Sequence, residues 1–169
     1  MNKCIFLDRD GVLNEERGTY TYIAEDLVII QGVPEAIRLI KNHGYLAIVI
    51  TNQSGIEQGL YTRAMMESCH KKLNDQTDNL IDAIYYAPGH PSVSESLSRK
   101  PDTLMLEKAI AKFNIDVSNS WMIGDKERDI SCGNAQKLKT ILISQQKIGS
   151  AADYQSDSLL NAVNDHILI

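Results

Sequence analysis

The stretch Ile5-Phe6-Leu7-Asp8-Arg9-Asp10-Gly11-Val12 constrains this chain more than any other. A short apolar run, bounded by Lys3, passes straight into an Asp-x-Asp-Gly turn. Such a run, ended by Gly, reads as a buried strand of a parallel sheet. In open α/β sheets ligands sit beyond the carboxyl ends of the strands, so Asp8 and Asp10 are expected at the floor of a cleft. Two carboxylates that close repel each other unless a cation lies between them or one takes a proton, and hard oxygen ligands suit Mg2+. Taken alone, the pattern fits equally well a strand that happens to end in an acidic turn.

The rest of the chain alternates strands with helices. A polar stretch, Asn14 to Glu25, contains Tyr20-Thr21-Tyr22-Ile23, whose β-propensity predicts a small hairpin or flap over the strand ends. Gly32-Val33-Pro34-Glu35 opens a helix that closes at His43-Gly44, with His43 a helix-terminal residue rather than a ligand. Tyr45 to Ile50 is a second strand, ending at Thr51-Asn52-Gln53-Ser54-Gly55, small polar donors suited to phosphate oxygens. Thr62 to Asp78 reads as a helix capped by Thr62, with Met65, Met66, Cys69 and Leu73 on its apolar side. Ile81 to Tyr86 is a third strand, and Ala87 to Arg99 a loop leading to Lys100-Pro101. A helix over Thr103 to Phe113 follows. A short strand, Ser120 to Ile123, then ends at Gly124-Asp125-Lys126-Glu127-Arg128-Asp129, and a helix runs on to about Gln136. Thr140 to Ile143 is the last strand, Ser144 to Tyr154 a polar linker and Ser158 to Leu168 a closing helix.

This order predicts an α/β fold: a Rossmann-like three-layer sandwich on a mostly parallel sheet with right-handed crossovers, residues 1–169 forming one domain. A length of 169 residues supplies a full core, and no apolar run reaches membrane-spanning length. The first strand begins at once, so no signal peptide is expected. Cys4, Cys69 and Cys132 lie far apart, with no metal or disulfide spacing, which points to small buried thiols in a reducing cytoplasm. The net charge of −5 offers no basic footprint for nucleic acid, and a monomer is expected.

Asp8-x-Asp10-Gly11, Thr51 after an apolar strand, Lys100, and Gly124-Asp125-x-x-x-Asp129 resemble, in that order, the four motifs of the haloacid dehalogenase superfamily. Phe6-Leu7-Asp8-Arg9-Asp10-Gly11, Thr51-Asn52-Gln53-Ser54-Gly55-Ile56, Tyr85-Tyr86, Arg99-Lys100-Pro101 and Gly124-Asp125-Lys126 look like its heptose-bisphosphate phosphatase and histidinol-phosphatase group. The resemblance implies that Asp8 is the nucleophile that takes the phosphoryl group, and Asp10 the general acid and then the base. Thr51 and Asn52, with Gln53 and Ser54 beside them, would hold the phosphoryl, and Lys100 would screen its charge. Mg2+ would be bound by Asp8, Asp125 and the Asp10 backbone carbonyl, with Asp129 behind the metal rather than on it. Arg99 and Lys126 match substrate contacts, and Glu16, Arg17, Gly18 and Tyr20 fall near the first substrate loop.

The chemistry agrees with these roles. A carboxylate is a weak nucleophile that a phosphate dianion repels, and a cation with a lysine removes that repulsion. Positioned acid–base catalysis adds roughly 100- to 10,000-fold.

The chain also departs from the group. Members often carry a structural zinc loop after the third strand, of Cys-x-His and Cys-x-Cys. Here the matching positions are Ala87 and Gly89, then Ser96 and Ser98, so no structural zinc is expected, His90 reads as a surface imidazole, and the loop needs another means of order. The loops leave little room for a cap, which predicts a capless, open site. Three readings follow. The first is a Mg2+-dependent phosphatase acting on a small phosphorylated sugar, with the 7-phosphate of a heptose 1,7-bisphosphate as the specific expectation. The second is histidinol-phosphate phosphatase or another small phosphomonoesterase. The third is a catalytically weak domain that binds a phospholigand or a partner.

Overall fold

The computed structural model describes residues 1–146 and 149–168. Its centre is a six-stranded sheet in the order β3-β2-β1-β4-β5-β6. The strands are β1 (Lys3–Leu7), β2 (Tyr45–Asn52), β3 (Ala83–Ala87), β4 (Trp121–Gly124), β5 (Lys139–Ile143) and β6 (Tyr154–Ser156). Every neighbouring pair is parallel. The helices are α1 (Val33–Asn42), α2 (Arg63–Gln76), α3 (Leu104–Phe113), α4 (Glu127–Ala135) and α5 (Leu159–Ala162), the last running into a wider turn over Val163–Ile167.

The absence of polar–apolar alternation in the central strands follows from burial on both faces. On β1, Ile5 and Leu7 join a core with α1, α5 and Leu73 of α2, while Cys4 and Phe6 join a second core with α3 and Cys132 of α4. β2 divides likewise, with Ala47 and Val49 on the first face and Ile48 and Ile50 on the second. Each such aliphatic side chain contributes about 1.5–3 kcal/mol when fully buried. All three cysteines are buried and unpaired.

Local signals held at several helix ends. Pro34 lies in the first turn of α1, the Thr62 hydroxyl caps α2 by accepting from the Met65 N–H, and the Ser158 hydroxyl does the same for α5 from Asn161.

Three details differ from the sequence reading. Tyr20–Ile23 forms no hairpin. It takes the other expected form, a flap: Tyr20 and Thr21 line the cavity at the strand ends, and the Tyr22 ring stacks on Tyr61 at 5.0 Å between centroids, so aromatic packing rather than a ladder holds it. Met65 is exposed, because the apolar stripe of α2 runs through Met66, Cys69 and Leu73. The expected linker ends in β6, a strand of three residues, too short to show periodicity, that pairs with the edge of β5. Residues 147 and 148 of that linker lie outside the described residues. Among the described residues, no helix is long and apolar enough to cross a membrane.

Candidate active site

The chain leaves β1 for β2 and β3 on one side and returns to β4 on the other, so β1 and β4 flank the point where strand order reverses. Ligands of open α/β sheets bind at such a point. The Asp8 N–H extends the ladder by donating to the Ile123 carbonyl at 2.9 Å, which seats Asp8 there. Its Oδ1 accepts from the Arg9 N–H at 2.7 Å and lies 2.9 Å from Lys100 Nζ.

Lys100 is buried and reaches three oxygens: Asp8 Oδ1, Asp129 Oδ1 at 2.6 Å and the Ile50 carbonyl at 2.7 Å. Of the three, the Ile50 carbonyl receives a hydrogen bond, and the two carboxylates are ion-paired with the ammonium. Asn52 fixes the Lys100 backbone in both directions, accepting from its N–H at 3.0 Å and donating to its carbonyl at 3.1 Å. Asp129 Oδ2 accepts from the Lys126 N–H at 3.1 Å at the start of α4, while its Oδ1 is ion-paired with Lys100 and, among the described residues, receives no hydrogen bond. Gly124 makes that approach possible, since a Cβ there would stand 2.1 Å from the Cβ of Asp129.

Asp8, Asp125 and Asp129 can bring carboxylate oxygens within 4.8 Å of one another, a hard oxygen set of the kind Mg2+ takes. The residues fit such an ion. Among the described residues, neither Asp125 Oδ1 nor Asp129 Oδ1 has a hydrogen-bond partner although both are buried, and Gly11, at φ +85°, leaves the space that the Asp125 carboxylate fills. Burial first, then Asp129, pushes the Asp8 carboxyl up to about 7 against the pull of Lys100. Burial also raises the Asp125 carboxyl, although Lys126 Nζ lies 2.8 Å from its Oδ2. Burial works against the charge of Lys100, but Asp8 and Asp129 outweigh it and hold the ammonium above its ordinary range.

Asp10 accepts from Arg9 Nε and Nη2 at 3.2 and 3.0 Å, from Asn14 Nδ2 at 2.9 Å and from Gln53 Nε2 at 3.3 Å. The same Gln53 amide group donates to Thr51 Oγ1 at 3.0 Å, and its carbonyl accepts from the Tyr61 hydroxyl at 2.8 Å.

Above this floor lies a cavity of about 530 Å³. Of the residues singled out from sequence, Asp8, Asp10, Glu16, Gly18, Tyr20, Asn52, Ser54, Arg99 and Lys126 line it. Thr51, Gln53, Lys100 and Asp129 are buried beneath it. Arg17 does not line it; its guanidinium pairs with Asp26 at 2.8 Å, because the segment after Asn14 folds back on itself. Sequence reading passed over Arg9, Thr19, Thr21 and Arg128, which also line the cavity. Two signals were available. Arg9 is a long cation between two acids at a strand end, and Arg128 lies in the first turn of α4, three residues after Asp125. Burial and the nearby Arg128 both lower the Arg99 guanidinium, so two like charges share the cavity mouth.

The family model described as "HAD-hyrolase-like" matches residues 97–166. The D-glycero-D-manno-heptose-1,7-bisphosphate 7-phosphatase of Chlorobaculum tepidum is 35% identical, over 98% of this chain and 94% of that protein. The D-glycero-beta-D-manno-heptose-1,7-bisphosphate 7-phosphatase of Haemophilus influenzae is 36% identical, over 95% of each. Among solved structures, the D,D-heptose 1,7-bisphosphate phosphatase of B. bronchiseptica, complexed with magnesium and phosphate, has the same fold, with a TM-score of 0.86 at 22% identity over 96% of each chain. The chain is therefore a phosphatase of the haloacid dehalogenase type. Within that class it belongs to the family of the heptose-bisphosphate 7-phosphatases.

Proposed function

We propose that this protein removes the 7-phosphate of D-glycero-D-manno-heptose 1,7-bisphosphate, in the cytoplasm, as a Mg2+-dependent monomeric enzyme of one domain without structural zinc. The observation that carries the reading is the buried Asp8–Lys100–Asp129 array beneath a cavity with Arg99, Lys126 and Arg128 at its walls. A reactive carboxylate at one end and cations at the other suit a substrate with two anionic groups.

In this reading Asp8 attacks phosphorus in line, forming an aspartyl-phosphate as the phosphorus–alkoxide bond breaks. Asp10 gives its proton to the leaving alkoxide oxygen. It then takes a proton from the water that attacks phosphorus, which breaks the bond to Asp8 and releases phosphate. Thr51 and the neighbouring backbone N–H groups hold the equatorial oxygens, with Asn52 keeping Lys100 in register. Lys100 stabilises charge on Asp8 and on the phosphoryl group. Asp8, Asp125 and the Asp10 carbonyl would hold Mg2+, which would supply neutralisation of the phosphoryl oxygens. Asp129, ion-paired with Lys100 and accepting from the Lys126 N–H, orients Lys100 from behind. Gly18, Tyr20, Ser54, Arg99 and Lys126 contact the sugar and its distal phosphate. Arg17 is paired with Asp26 at an exposed contact and would have to leave it to reach the sugar.

The test is phosphate release from both anomers of the heptose 1,7-bisphosphate and from histidinol phosphate, each with Mg2+, with EDTA and with Asp8→Asn. Mg2+-dependent release from one heptose anomer, lost in Asp8→Asn, is expected. Preference for histidinol phosphate overturns the substrate, and release that survives Asp8→Asn overturns the mechanism.

A further inference from the structure

The loop between β3 and Lys100, residues 88–99, contains no helix or strand, yet it delivers Arg99 to the cavity. One carboxylate from another loop grips it. Glu57, in the loop after β2, accepts on Oε2 from the His90 N–H at 2.6 Å and on Oε1 from the Ser94 hydroxyl at 2.7 Å. The Glu57 N–H also donates to the Pro88 carbonyl at 3.4 Å. Gly89 lets the loop close over this contact, since a Cβ there would stand 2.8 Å from that of Ser96.

The peptide unit joining Gly89 to His90 is the link to the site. Its N–H points at the Glu57 carboxylate, and its carbonyl accepts from Arg99 Nη1 at 3.3 Å. A peptide unit is planar, so fixing the direction of its N–H fixes the direction of its carbonyl. An anion at the N–H also polarises the unit and strengthens the carbonyl as an acceptor. The path Glu57 carboxylate, Gly89–His90 peptide, Arg99 guanidinium is thus a continuous chain of hydrogen bonds from one loop to the cavity wall. The contacts with Ser94 and His90 hold the Glu57 carboxyl below its ordinary range.

We infer that Glu57 is a positioning residue for substrate selection: through the Gly89–His90 peptide it aims Arg99 at the distal anionic group of the substrate. This rests on the reading of Arg99 as a substrate contact. Glu57 touches no reacting atom, so it sets KM for a substrate with a distal phosphate and leaves the chemical step alone.

The experiment is steady-state kinetics with Mg2+ on the wild type, Glu57→Gln, Arg99→Gln and the double variant. The substrates are the heptose 1,7-bisphosphate and p-nitrophenyl phosphate, which has no distal phosphate. Glu57→Gln is expected to raise KM for the bisphosphate about fivefold, the scale of disordering one long side chain, with kcat and the aryl phosphate kinetics unchanged. The double variant is expected to match Arg99→Gln alone. Loss of folded protein would lower kcat and leave KM as it was. If Arg99→Gln raises KM and Glu57→Gln does not, or if the two effects multiply, the inference is overturned while the role of Arg99 stands. If Arg99→Gln leaves KM unchanged, the role of Arg99 fails and the inference with it.

Discussion

The Arg9 guanidinium forks onto the carboxylate of the next residue, Asp10, with Nη2 3.0 Å from Oδ1 and Nε 3.2 Å from Oδ2. Arg9 is almost wholly buried, and Nη2 also donates to the Thr21 carbonyl at 2.9 Å, tying the segment after Asn14 to the acid. A lysine cannot reproduce the fork. Arg9→Lys is expected to lower kcat about tenfold, as displaced catalytic groups do, with KM for the bisphosphate nearly unchanged. Steady-state kinetics checks this; a wild-type kcat removes Arg9 from any part in aiming Asp10.

Lys100→Met leaves Asp8 and Asp129 buried side by side without their shared cation. Removing one partner of a buried ion pair costs about 3–5 kcal/mol, so urea unfolding without Mg2+ at pH 8 is expected to show a loss on that scale. The loss is expected to shrink at pH 5, where Asp8 can take a proton. An equal loss at both pH values would contradict the account.

The Asp8 carboxyl, raised to about 7 from an ordinary value near 4, fixes the sign of a metal effect. A folded value above the unfolded one means that the metal-free protein holds the extra proton between pH 4 and 7. The stability this contributes is full below about 4 and is lost as pH rises through 7. Mg2+ competes with that proton. The rise in melting temperature on adding Mg2+ over EDTA is therefore expected to be small at pH 5.5 and to grow to pH 8. A thermal-shift series measures it, and a rise independent of pH would exclude Asp8 as the ligand that titrates.

His70 lies on α2 with its ring almost buried, and burial, aided by Arg9, lowers it to about 4. The folded protein therefore favours the neutral ring. The stability from this group is full above the unfolded value of 6.5 and is lost as pH falls from there to 4. From a difference of 1.5 pH units, wild type is expected to lose about 2 kcal/mol from this source at pH 5. His70→Leu removes the titration, so its stability is expected to fall less between pH 7 and pH 5 in urea unfolding. Parallel falls in the two proteins would refute this.

The sequence alone determined the elements that are local. Continuous apolar runs such as Phe6-Leu7 and Ile48-Val49-Ile50, each ending in small polar or acidic residues, identified the strands and their carboxyl ends. Pro34 and Thr62 identified helix starts. Because a parallel α/β sheet gathers its strand ends on one edge, the convergence of Asp8, Thr51, Lys100 and Asp125 followed from their order along the chain. Tertiary structure decided whatever depends on partners distant in sequence. Arg17 was near enough to the cavity by position, yet Asp26 holds it elsewhere. Asn52 is committed to the backbone of Lys100, 48 residues away, and Glu57 to the N–H of His90, 33 residues away. β6 exists because the open edge of β5 offers it hydrogen bonds, not because three residues carry a pattern. Periodicity and turn chemistry act over one or two turns of chain. A side chain's polar partner is settled only when packing brings two loops together, and that separates the legible half of this site from the rest.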